Sequence, residues 1–353
     1  MTVNDPIFSE DLKTIADRIG NKAIGLLEGK TLLITGGSGF LGKYIVATLL
    51  LLNKNYLIRP CKIISVDNYI TSKKEETKVA EKYLKHIKAD VTKPSKIKGH
   101  IDYIIHAAGI ASPIYYKKYP LETIDVAVIG TRNMLELAKK KMVKSILFFS
   151  SSEIYGNPDK EAIPIQETYN GNVSPIGPRA CYDESKRLGE TLCMIYFNLF
   201  KTPIKIVRPF NIYGPGMKID DYRVIPSFIA AALQGKNIPV HSSGQQTRAF
   251  CYITDATVGF FKVMLQGYYG HVYNVGNDKT EITMNALAKT INKILNDKAE
   301  IKNIDYPENY PGDEPERRCP DLTKIKKQLR YKAEVDLTTG ITRTLEWFKV
   351  SHF

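Results

Sequence analysis

The 353-residue chain has no long hydrophobic run. Its longest apolar stretches, such as Ala47 to Leu52 and Ser145 to Phe149, are far shorter than the ~20 residues that span a bilayer. The N-terminus carries Asp5, Glu10 and Asp11 and does not have the basic, then apolar order of a signal peptide. We therefore expect a soluble, unexported protein with no membrane partner.

Cysteine is scarce and shows no pattern. The five residues are odd in number and have neither CxxC nor Cys/His ligand spacing: Cys61, Cys181, Cys193, Cys251 and Cys319. This argues against a disulfide framework and against a zinc site. The expectation is a cytoplasmic protein in a reducing compartment, without a metal.

Acidic residues are in deficit, with 37 Asp and Glu against 50 Lys and Arg, so the formal net charge is +13. Such a charge suits an anionic partner, and nucleic acid is the first candidate. The lysines, however, are scattered in pairs without interleaved stacking aromatics or a nucleic-acid module. Solvated helix faces explain them better, so no nucleic-acid partner is expected. A small anionic substrate held by a few arginines fits the same charge.

Apolar patterning predicts an α/β fold. Residues 1–28 are expected to form an N-terminal helical extension, with Ser9 as the N-cap. From Lys30 onward, short apolar runs alternate with amphipathic stretches, which is typical of buried parallel strands joined by helices. These runs predict a Rossmann-type, doubly wound parallel sheet within residues 29–208. They are Thr31 to Thr35, Lys62 to Val66, Ile101 to His106, Ser145 to Ser150 and Ile204 to Arg208.

After Arg208 the rhythm changes to loops rich in glycine and proline, NIYGPGM and PENYPGDEPERRCPD. Amphipathic helices are expected between them, near Val224 to Leu233, Met284 to Leu295 and Thr338 to Phe348. Residues 209–353 are therefore expected to form mainly a smaller, discontinuous substrate-binding lobe. Some of its segments return to the first domain.

The segment TLLITGGSGFLGKYIVATLL predicts a strand, a glycine turn and a helix, with Gly36, Gly39 and Gly42 at three-residue spacing. The first glycine permits a tight turn, the second a close approach to a pyrophosphate, and the third close packing of helix on strand. The helix N-terminus then faces the phosphates. Phe40 and Leu41, within this segment, are counted among the cofactor contacts.

Asp67 ends the next strand at 25 residues beyond Gly42, where a carboxylate accepts hydrogen bonds from the adenosine ribose. A carboxylate there would repel a 2′-phosphate, so NAD is expected rather than NADP. Residues 29–208 are thus expected to be mainly the NAD-binding domain. The other predicted cofactor contacts are Asn68, Asp90, Val91, Ala107 and Ala108.

Tyr182 and Lys186 lie four residues apart in a predicted helix, so that phenol and ammonium share one face. Both are expected to be catalytic and to contact the cofactor. A nearby ammonium and the nicotinamide charge favour phenolate, which predicts a lowered tyrosine pKa and a usable base. Ser151, at a strand end, is expected to orient the same substrate oxygen. Glu153 is expected to be a second acid/base group; each of these two also has a structural alternative, as a strand-end hydroxyl and a solvated loop carboxylate.

At these motifs the chain resembles the extended short-chain dehydrogenase/reductase family, which includes nucleotide-sugar epimerases, dehydratases and decarboxylases. The resemblance covers roughly residues 29–350 and rests on GGSGFLG, SSSEIYG, YDESK and RPFNIYGP. Within the family, the chain is most similar to the UDP-glucuronate decarboxylases. The segments that carry this likeness are VSPIGPRACYDESKRLGE, DDYRVIPSFI, GQQTRAFCYITD and ERRCPDLTK.

The resemblance implies a nucleotide-sugar substrate, UDP-linked, and roles for the matched residues. It implies that Asn211 and Arg223 face the nucleotide or sugar, that Arg248 and Arg318 face the diphosphate, and that Arg179 lies near the sugar. Planar guanidinium groups suit a diphosphate in any case. The alternative for Arg317 and Arg318 is a surface pair, and this alternative suits Arg317 better than Arg318.

The implied reaction is decarboxylation of a nucleotide-linked uronic acid through a transient 4-ketone, with NAD recycled. Dehydratases and 4-epimerases remain alternatives, although simple epimerases usually lack a glutamate at position 153 and many 4,6-dehydratases have Asp-Glu where this chain has Ser152-Glu153. Gly216 also departs from the decarboxylase pattern, which commonly has arginine there. A catalytically silent NAD sensor is a more distant alternative.

The resemblance also implies a homodimer formed through helices that include the one with Tyr182. Apolar side chains of that helix suit such an interface, and core packing explains them equally well. They are Leu188, Leu192, Ile195 and Leu199.

Overall fold

Strands and helices alternate along the chain in a computed structural model that describes residues 5–72, 82–94, 97–306 and 315–352. The strands are β1 (Thr31–Thr35), β2 (Lys62–Asp67), β3 (Leu84–Lys88), β4 (Tyr103–His106), β5 (Ser145–Phe149), β6 (Ile204–Pro209), β7 (Ile212–Tyr213), β8 (Ile238–His241), β9 (Thr247–Ala249), β10 (Cys251–Tyr252), β11 (His271–Val275), β12 (Glu281–Thr283), β13 (Ile301–Ile304) and β14 (Arg317–Arg318). The α-helices are α1 (Pro6–Ile19), α2 (Asn21–Ile24), α3 (Phe40–Asn55), α4 (Pro113–Lys118), α5 (Pro120–Asp125), α6 (Thr131–Lys141), α7 (Ala180–Phe200), α8 (Val224–Leu233), α9 (Ile253–Gln266), α10 (Met284–Ile294), α11 (Thr323–Leu329) and α12 (Leu337–His352).

A seven-stranded sheet with the order β11-β6-β5-β4-β1-β2-β3 forms the centre, and every neighbouring pair is parallel. The strands β4 and β5 are buried along their whole length. Helices α3 and α9 pack on one face of the sheet, while α6 and α7 pack on the other. Burial on both faces explains why these strands have continuous apolar runs. The predicted Rossmann-type, doubly wound fold is confirmed.

Two strands of the central sheet, β3 and β11, were not predicted from the apolar runs of the sequence. The strand β3 (LKHIK) and the strand β11 (HVYNV) occupy the two edges of the sheet, where only one neighbour pairs with each. An edge strand is less covered and tolerates polar residues, so its sequence has no continuous apolar run. The five predicted runs all match strands, with ends that differ by up to two residues.

The N-terminal extension is helical, but its predicted N-cap is wrong. The helix α1 begins at Pro6, and the Asp5 side chain caps it by accepting a hydrogen bond from the backbone N of Phe8 at 3.2 Å. Proline suits the first helical position because it has no amide hydrogen to satisfy, which places the start before Ser9. The helix packs against α3 and α9, and its apolar stripe is buried.

The described residues after β6 form three small sheets beside the carboxyl ends of the central strands. They also supply the edge strand β11 of the central sheet and the helix α9, which packs on that sheet. These small sheets pair β10 with β7, β8 with β13, and β9 with β12 and β14. The helices predicted after Arg208 are present as α8, α10 and α12. Residues 307–314 of the predicted glycine- and proline-rich loop lie outside the described residues.

Candidate active site

The glycine turn joins β1 to α3, and its backbone conformation depends on glycine. Gly36 has φ +72°, and a Cβ built there would lie 2.8 Å from the carbonyl oxygen of Ala107. A Cβ on Gly42 would lie 2.1 Å from the carbonyl oxygen of Gly36. Gly39 is the N-cap of α3, and Phe40 and Leu41 form its first turn. The turn therefore leaves free backbone N–H groups of a helix N-terminus at the carboxyl end of the sheet, which fits a pyrophosphate.

The end of β2 is bound to this turn by Asp67. One carboxylate oxygen of Asp67 accepts from the backbone N of Ser38 at 3.0 Å, and the other accepts from the backbone N of Tyr69 at 2.8 Å. Asn68 accepts in the same way from the backbone N of Ile70 at 3.0 Å. Asp67 is therefore held beside the glycine turn, which fits its predicted contact with the adenosine ribose of a dinucleotide.

The remaining predicted cofactor contacts are backbone-anchored residues at the ends of β3 and β4. Asp90 accepts from the backbone N of Thr92 at 2.9 Å, and the carbonyl oxygen of the buried Val91 accepts from Asn133 at 2.8 Å. The backbone N of Ala108 donates to Thr35 at 3.3 Å. Small side chains here leave the backbone open next to the glycine turn.

A cavity of about 310 Å³ lies between the carboxyl ends of the central strands and the small sheets. Open α/β sheets bind ligands at this edge. Twelve predicted site residues line this cavity, which we name the catalytic cleft: Phe40, Leu41, Ala107, Ser151, Glu153, Arg179, Tyr182, Lys186, Asn211, Arg223, Arg248 and Arg318. The three glycines, Asp67, Asn68, Asp90, Val91 and Ala108 are not in its lining.

Tyr182 and Lys186 lie on one face of α7, as predicted, and both are almost completely buried. The Lys186 ammonium donates to the carbonyl oxygen of Phe149 at 2.7 Å and lies 5.9 Å from the centre of the Tyr182 ring. Burial lowers the pKa of Lys186 to about 8. Burial raises the pKa of Tyr182 to about 12, against the opposing hydrogen bond of Ser151. Within the protein alone, desolvation outweighs the nearby side-chain charges. The predicted lowering also relies on the charge of bound nicotinamide and stays a prediction.

Glu153 is an ion-paired residue whose side chain is 20% exposed, so it is not a freely solvated loop carboxylate. It lies in a 3₁₀ turn after β5, and its two carboxylate oxygens contact the guanidinium groups of Arg179 and Arg318. Burial alone would raise the pKa of Glu153, but the charges of Arg179, Arg318 and Arg248 outweigh it and lower the pKa to about 2. Glu153 is therefore charged at any working pH.

The arginines of the small sheets surround this carboxylate. Strand pairing sets Arg318 of β14 directly opposite Arg248 of β9, and both side chains are buried. Arg318 is 1% exposed, and its Nε and Nη2 atoms have no hydrogen-bond partner in the described chain. Arg317 points outward to Glu281 in a two-contact ion pair at 2.6 and 2.8 Å, which confirms its surface position. Two buried donor atoms of Arg318 thus remain for an anionic ligand.

The other two predicted substrate residues reach the catalytic cleft from segments that flank β7. Asn211 has φ +39° and donates to the carbonyl oxygen of Ala249 at 3.0 Å. Arg223 precedes α8 and pairs through its Nε with Asp221 at 3.0 Å. Both line the cleft, and each already has one partner within the chain.

Tyr116 is a cleft residue that the sequence reasoning missed. Its ring stacks on that of Tyr182, with centroids 5.6 Å apart and an interplanar angle of 14°. It belongs to the aromatic segment SPIYYKKYP, which follows β4 at the carboxyl edge of the sheet. The position of this segment after a predicted strand could have indicated a residue of the cleft. Stacking fixes the plane of the Tyr182 phenol.

The family model described as the NAD dependent epimerase/dehydratase family matches residues 32–276. The chain belongs to this family of enzymes, and NAD is its cofactor. The predicted family and cofactor are therefore confirmed. Among the described residues, no helix is long and apolar enough to cross a membrane, and no group of three or more His, Cys, Asp or Glu side chains suits a metal ion.

Curated relatives share most of the chain. It is 43% identical over 324 residues to UDP-glucuronic acid decarboxylase 5 of Arabidopsis thaliana, with 90% of this chain and 89% of the relative covered. It is 37% identical over 322 residues to UDP-glucuronic acid decarboxylase 1 of Xenopus tropicalis, with 91% and 72% covered.

Solved structures share the fold. An epimerase from Methanothermobacter thermautotrophicus superposes with a TM-score of 0.80 at 25% identity, covering 93% of this chain and 95% of that one. A dTDP-glucose 4,6-dehydratase from Streptomyces venezuelae, solved with NAD bound, superposes with a TM-score of 0.78 at 23% identity, covering 91% and 97%. The second likeness is one of fold alone.

Proposed function

We propose that this enzyme converts UDP-glucuronate to UDP-xylose by NAD-dependent decarboxylation through a transient 4-ketone. The carrying observation is the catalytic cleft itself, which is lined by Tyr182, Lys186 and a partly buried Glu153 that two arginines hold. The relatives named UDP-glucuronic acid decarboxylase, up to 43% identical over 90% of the chain, support the substrate.

Proton transfer at the sugar 4-hydroxyl is assigned to Tyr182. Bound NAD supplies a hydride acceptor and a positive charge near the phenol. Lys186, fixed on the Phe149 carbonyl, keeps an ammonium close to the same ring. Ser151 orients the hydroxyl oxygen. Because burial alone raises the pKa of Tyr182 to about 12, cofactor charge is what brings phenolate within reach of neutral pH.

Once carbon 4 is a ketone, the carboxylate on carbon 5 is β to a carbonyl group. The bond between carbon 5 and the carboxylate breaks, carbon dioxide leaves, and the electron pair passes into the enolate. Carbon 5 then takes a proton, and the returned hydride and the Tyr182 proton restore the 4-hydroxyl. A glutamate with a pKa of about 2 is a poor proton donor, so we assign Glu153 to ordering the water that protonates carbon 5.

Substrate binding is assigned to the arginines of the catalytic cleft. Arg248 and Arg318, opposite each other on β9 and β14, suit the diphosphate, and the free Nε and Nη2 donors of Arg318 support this. Arg179 is assigned to the sugar, and Asn211 and Arg223 to the nucleotide or sugar. In this division of labour, residues 29–208 mainly bind NAD and residues 209–353 mainly bind the nucleotide sugar. The five free cysteines suit a reducing compartment such as the cytoplasm.

The test is a panel of nucleotide sugars incubated with enzyme and NAD and followed by mass spectrometry. UDP-glucuronate is expected to lose carbon dioxide and yield a UDP-pentose without net NADH. Loss of water from another nucleotide sugar, with a stable 4-keto-6-deoxy product, would assign a dehydratase. An unchanged mass with inverted stereochemistry would assign an epimerase. Firm NAD binding with no turnover would favour a sensor.

We also propose a homodimer through α5 and α7. These helices pack together and leave Leu121, Leu188, Ile195 and Leu199 between 43% and 71% exposed, whereas Leu192 packs into the core. Exposed apolar side chains on two packed helices suit a second copy. Ile195→Lys is expected to shift the sedimenting mass to that of a monomer. Ile58→Lys, at a residue 91% exposed on another surface, is the matched control and should not change it.

A further inference from the structure

A second groove lies at the opposite edge of the central sheet, where the strands begin. It has a volume of about 480 Å³. We name it the amino-end groove, and its lining includes Lys30, Arg59, Tyr103, Lys144, Ser145 and Lys205. The strand β5 begins in this groove with Ser145, and the catalytic Ser151 follows its other end. At ~3.3 Å per extended residue, the two serines are roughly 20 Å apart, so the groove is separate from the catalytic cleft.

Cationic side chains converge on the amino-end groove. Lys30 and Lys144 both approach Asp102 Oδ1 at 3.9 Å, and the neighbouring Lys30 lowers the pKa of Lys144. Lys205 is buried and lies over the Tyr269 ring at 5.2 Å. Two ammonium groups sharing one carboxylate oxygen are incompletely neutralised.

The charge balance of the groove is positive. Its four cationic side chains, Lys30, Arg59, Lys144 and Lys205, face two acidic ones, Glu28 and Asp102. The Glu28 carboxylate also pairs with Arg59 and accepts a hydrogen bond from the backbone N of Ile58 at 2.9 Å. The formal net charge of these six side chains is therefore +2, which is complementary to the charge of a dianion.

Ser145 provides an observation independent of the lysines. Its side chain is 1% exposed, and its Oγ has no hydrogen-bond partner, although it lines the groove. A buried hydroxyl without a partner is costly unless a ligand or water satisfies it. Lys205 adds a buried ammonium, of which one donor is used by the Met264 carbonyl at 2.6 Å.

We propose that the amino-end groove binds a small phosphate-bearing dianion. A phosphate monoester carries a charge of about −1.5 to −2 at neutral pH and has three acceptor oxygens. Lys30, Lys144 and Lys205 supply the charge, and Ser145 supplies a neutral donor. The proposal does not depend on the proposed decarboxylase reaction.

The test is calorimetric titration of inorganic phosphate into the full-length enzyme saturated with NAD and UDP, which fill the catalytic cleft. Saturable binding is expected. The double variant Lys30→Gln/Lys144→Gln should weaken it by about tenfold or more, since each lost bond involves a charged donor. Ser145→Ala should weaken it several-fold with no change of net charge.

The matched control is Lys13→Gln/Lys22→Gln, which removes the same charge at exposed positions of α1 and α2. It should leave the phosphate dissociation constant within about twofold. Thermal unfolding midpoints without phosphate establish that every variant is folded. Absence of saturable binding, or equal weakening in the control pair, would overturn the proposal in favour of a solvated basic surface.

Discussion

Tyr182 owes its position to the periodicity of α7, and burial raises the pKa of its phenol. Spacing of four residues was sufficient to predict that Lys186 shares its face. The depth of the phenol, and its stacking on Tyr116, depend on residues far apart in the chain. The helix face shared by the pair is therefore predictable from sequence, whereas the desolvation that raises the tyrosine pKa within the protein is not.

Removing the Tyr182 hydroxyl tests its role at the residue scale. Tyr182→Phe is expected to lower kcat for UDP-glucuronate by a factor of about 10²–10⁴, because the proton transfer is lost while the stacked ring remains. NAD binding, measured by fluorescence titration, should be little changed.

Tyr196→Phe is the matched control for Tyr182→Phe. Tyr196 is on the same helix and equally buried, but its hydroxyl contacts Glu136 outside the catalytic cleft. The kcat of Tyr196→Phe should match that of the unaltered enzyme. If the two variants lost activity equally, the loss would reflect damage to α7 and Tyr182 would have no special role.

Glu153 shows what residue types alone cannot reveal. Its position after β5 predicted a cleft residue, but its two arginine partners are 26 and 165 residues away in sequence. The parallel pairing of β14 with β9 and the bridge between Ile165 and Pro320 bring Arg318 to it. The sequence therefore predicted the members of the cluster and not their contacts.

Among the elements, those that are buried on both sides were predictable and those at the edges were not. Strands β1 and β5 have unbroken apolar runs because helices cover both of their faces. Strands β3 and β11 were missed because an edge position relaxes that requirement. The glycine turn was predictable because Gly36 and Gly42 leave no room for a Cβ and Gly36 also has a positive φ.

Lys218, in the segment between β7 and α8, bridges this segment to the loops that follow β2 and β4. Lys218 donates to the carbonyl oxygen of Thr71 at 2.7 Å and to the hydroxyl of Tyr115 at 2.8 Å. Thr71 follows the loop that begins at Asp67. Lys218→Met is therefore expected to raise the NAD dissociation rate by about tenfold, since two bonds to a charged donor are lost.

Stopped-flow displacement of NAD measures this rate, and Lys236→Met is the control at an exposed lysine that follows α8. The control should retain the original dissociation rate. An unchanged rate in Lys218→Met would show that the bridge does not retain the cofactor.

In the whole molecule, the N-terminal extension acts as a connection among distant elements. Asp11 of α1 accepts from the hydroxyl of Tyr44 in α3 at 3.0 Å and from the hydroxyl of Tyr252, next to α9, at 2.9 Å. Arg343 of α12 donates to it at 2.9 Å. No local sequence pattern contains these contacts, because the four residues lie in distant parts of the chain.

This buried carboxyl predicts a pH dependence of stability. Burial raises the pKa of Asp11 to about 6, and Arg343 and the two tyrosines only partly oppose the shift. A raised folded-state pKa stabilises the fold below the unfolded value of 3.8, and that stability is lost as pH rises through about 6.

From about pH 4 to about pH 8, the free energy of unfolding should therefore fall by ~2 kcal/mol more in the unaltered protein than in Asp11→Asn, measured by urea denaturation. Asp17→Asn, at an exposed position of the same helix, should follow the unaltered protein. Parallel curves for all three would mean that Asp11 titrates as it does in the unfolded chain.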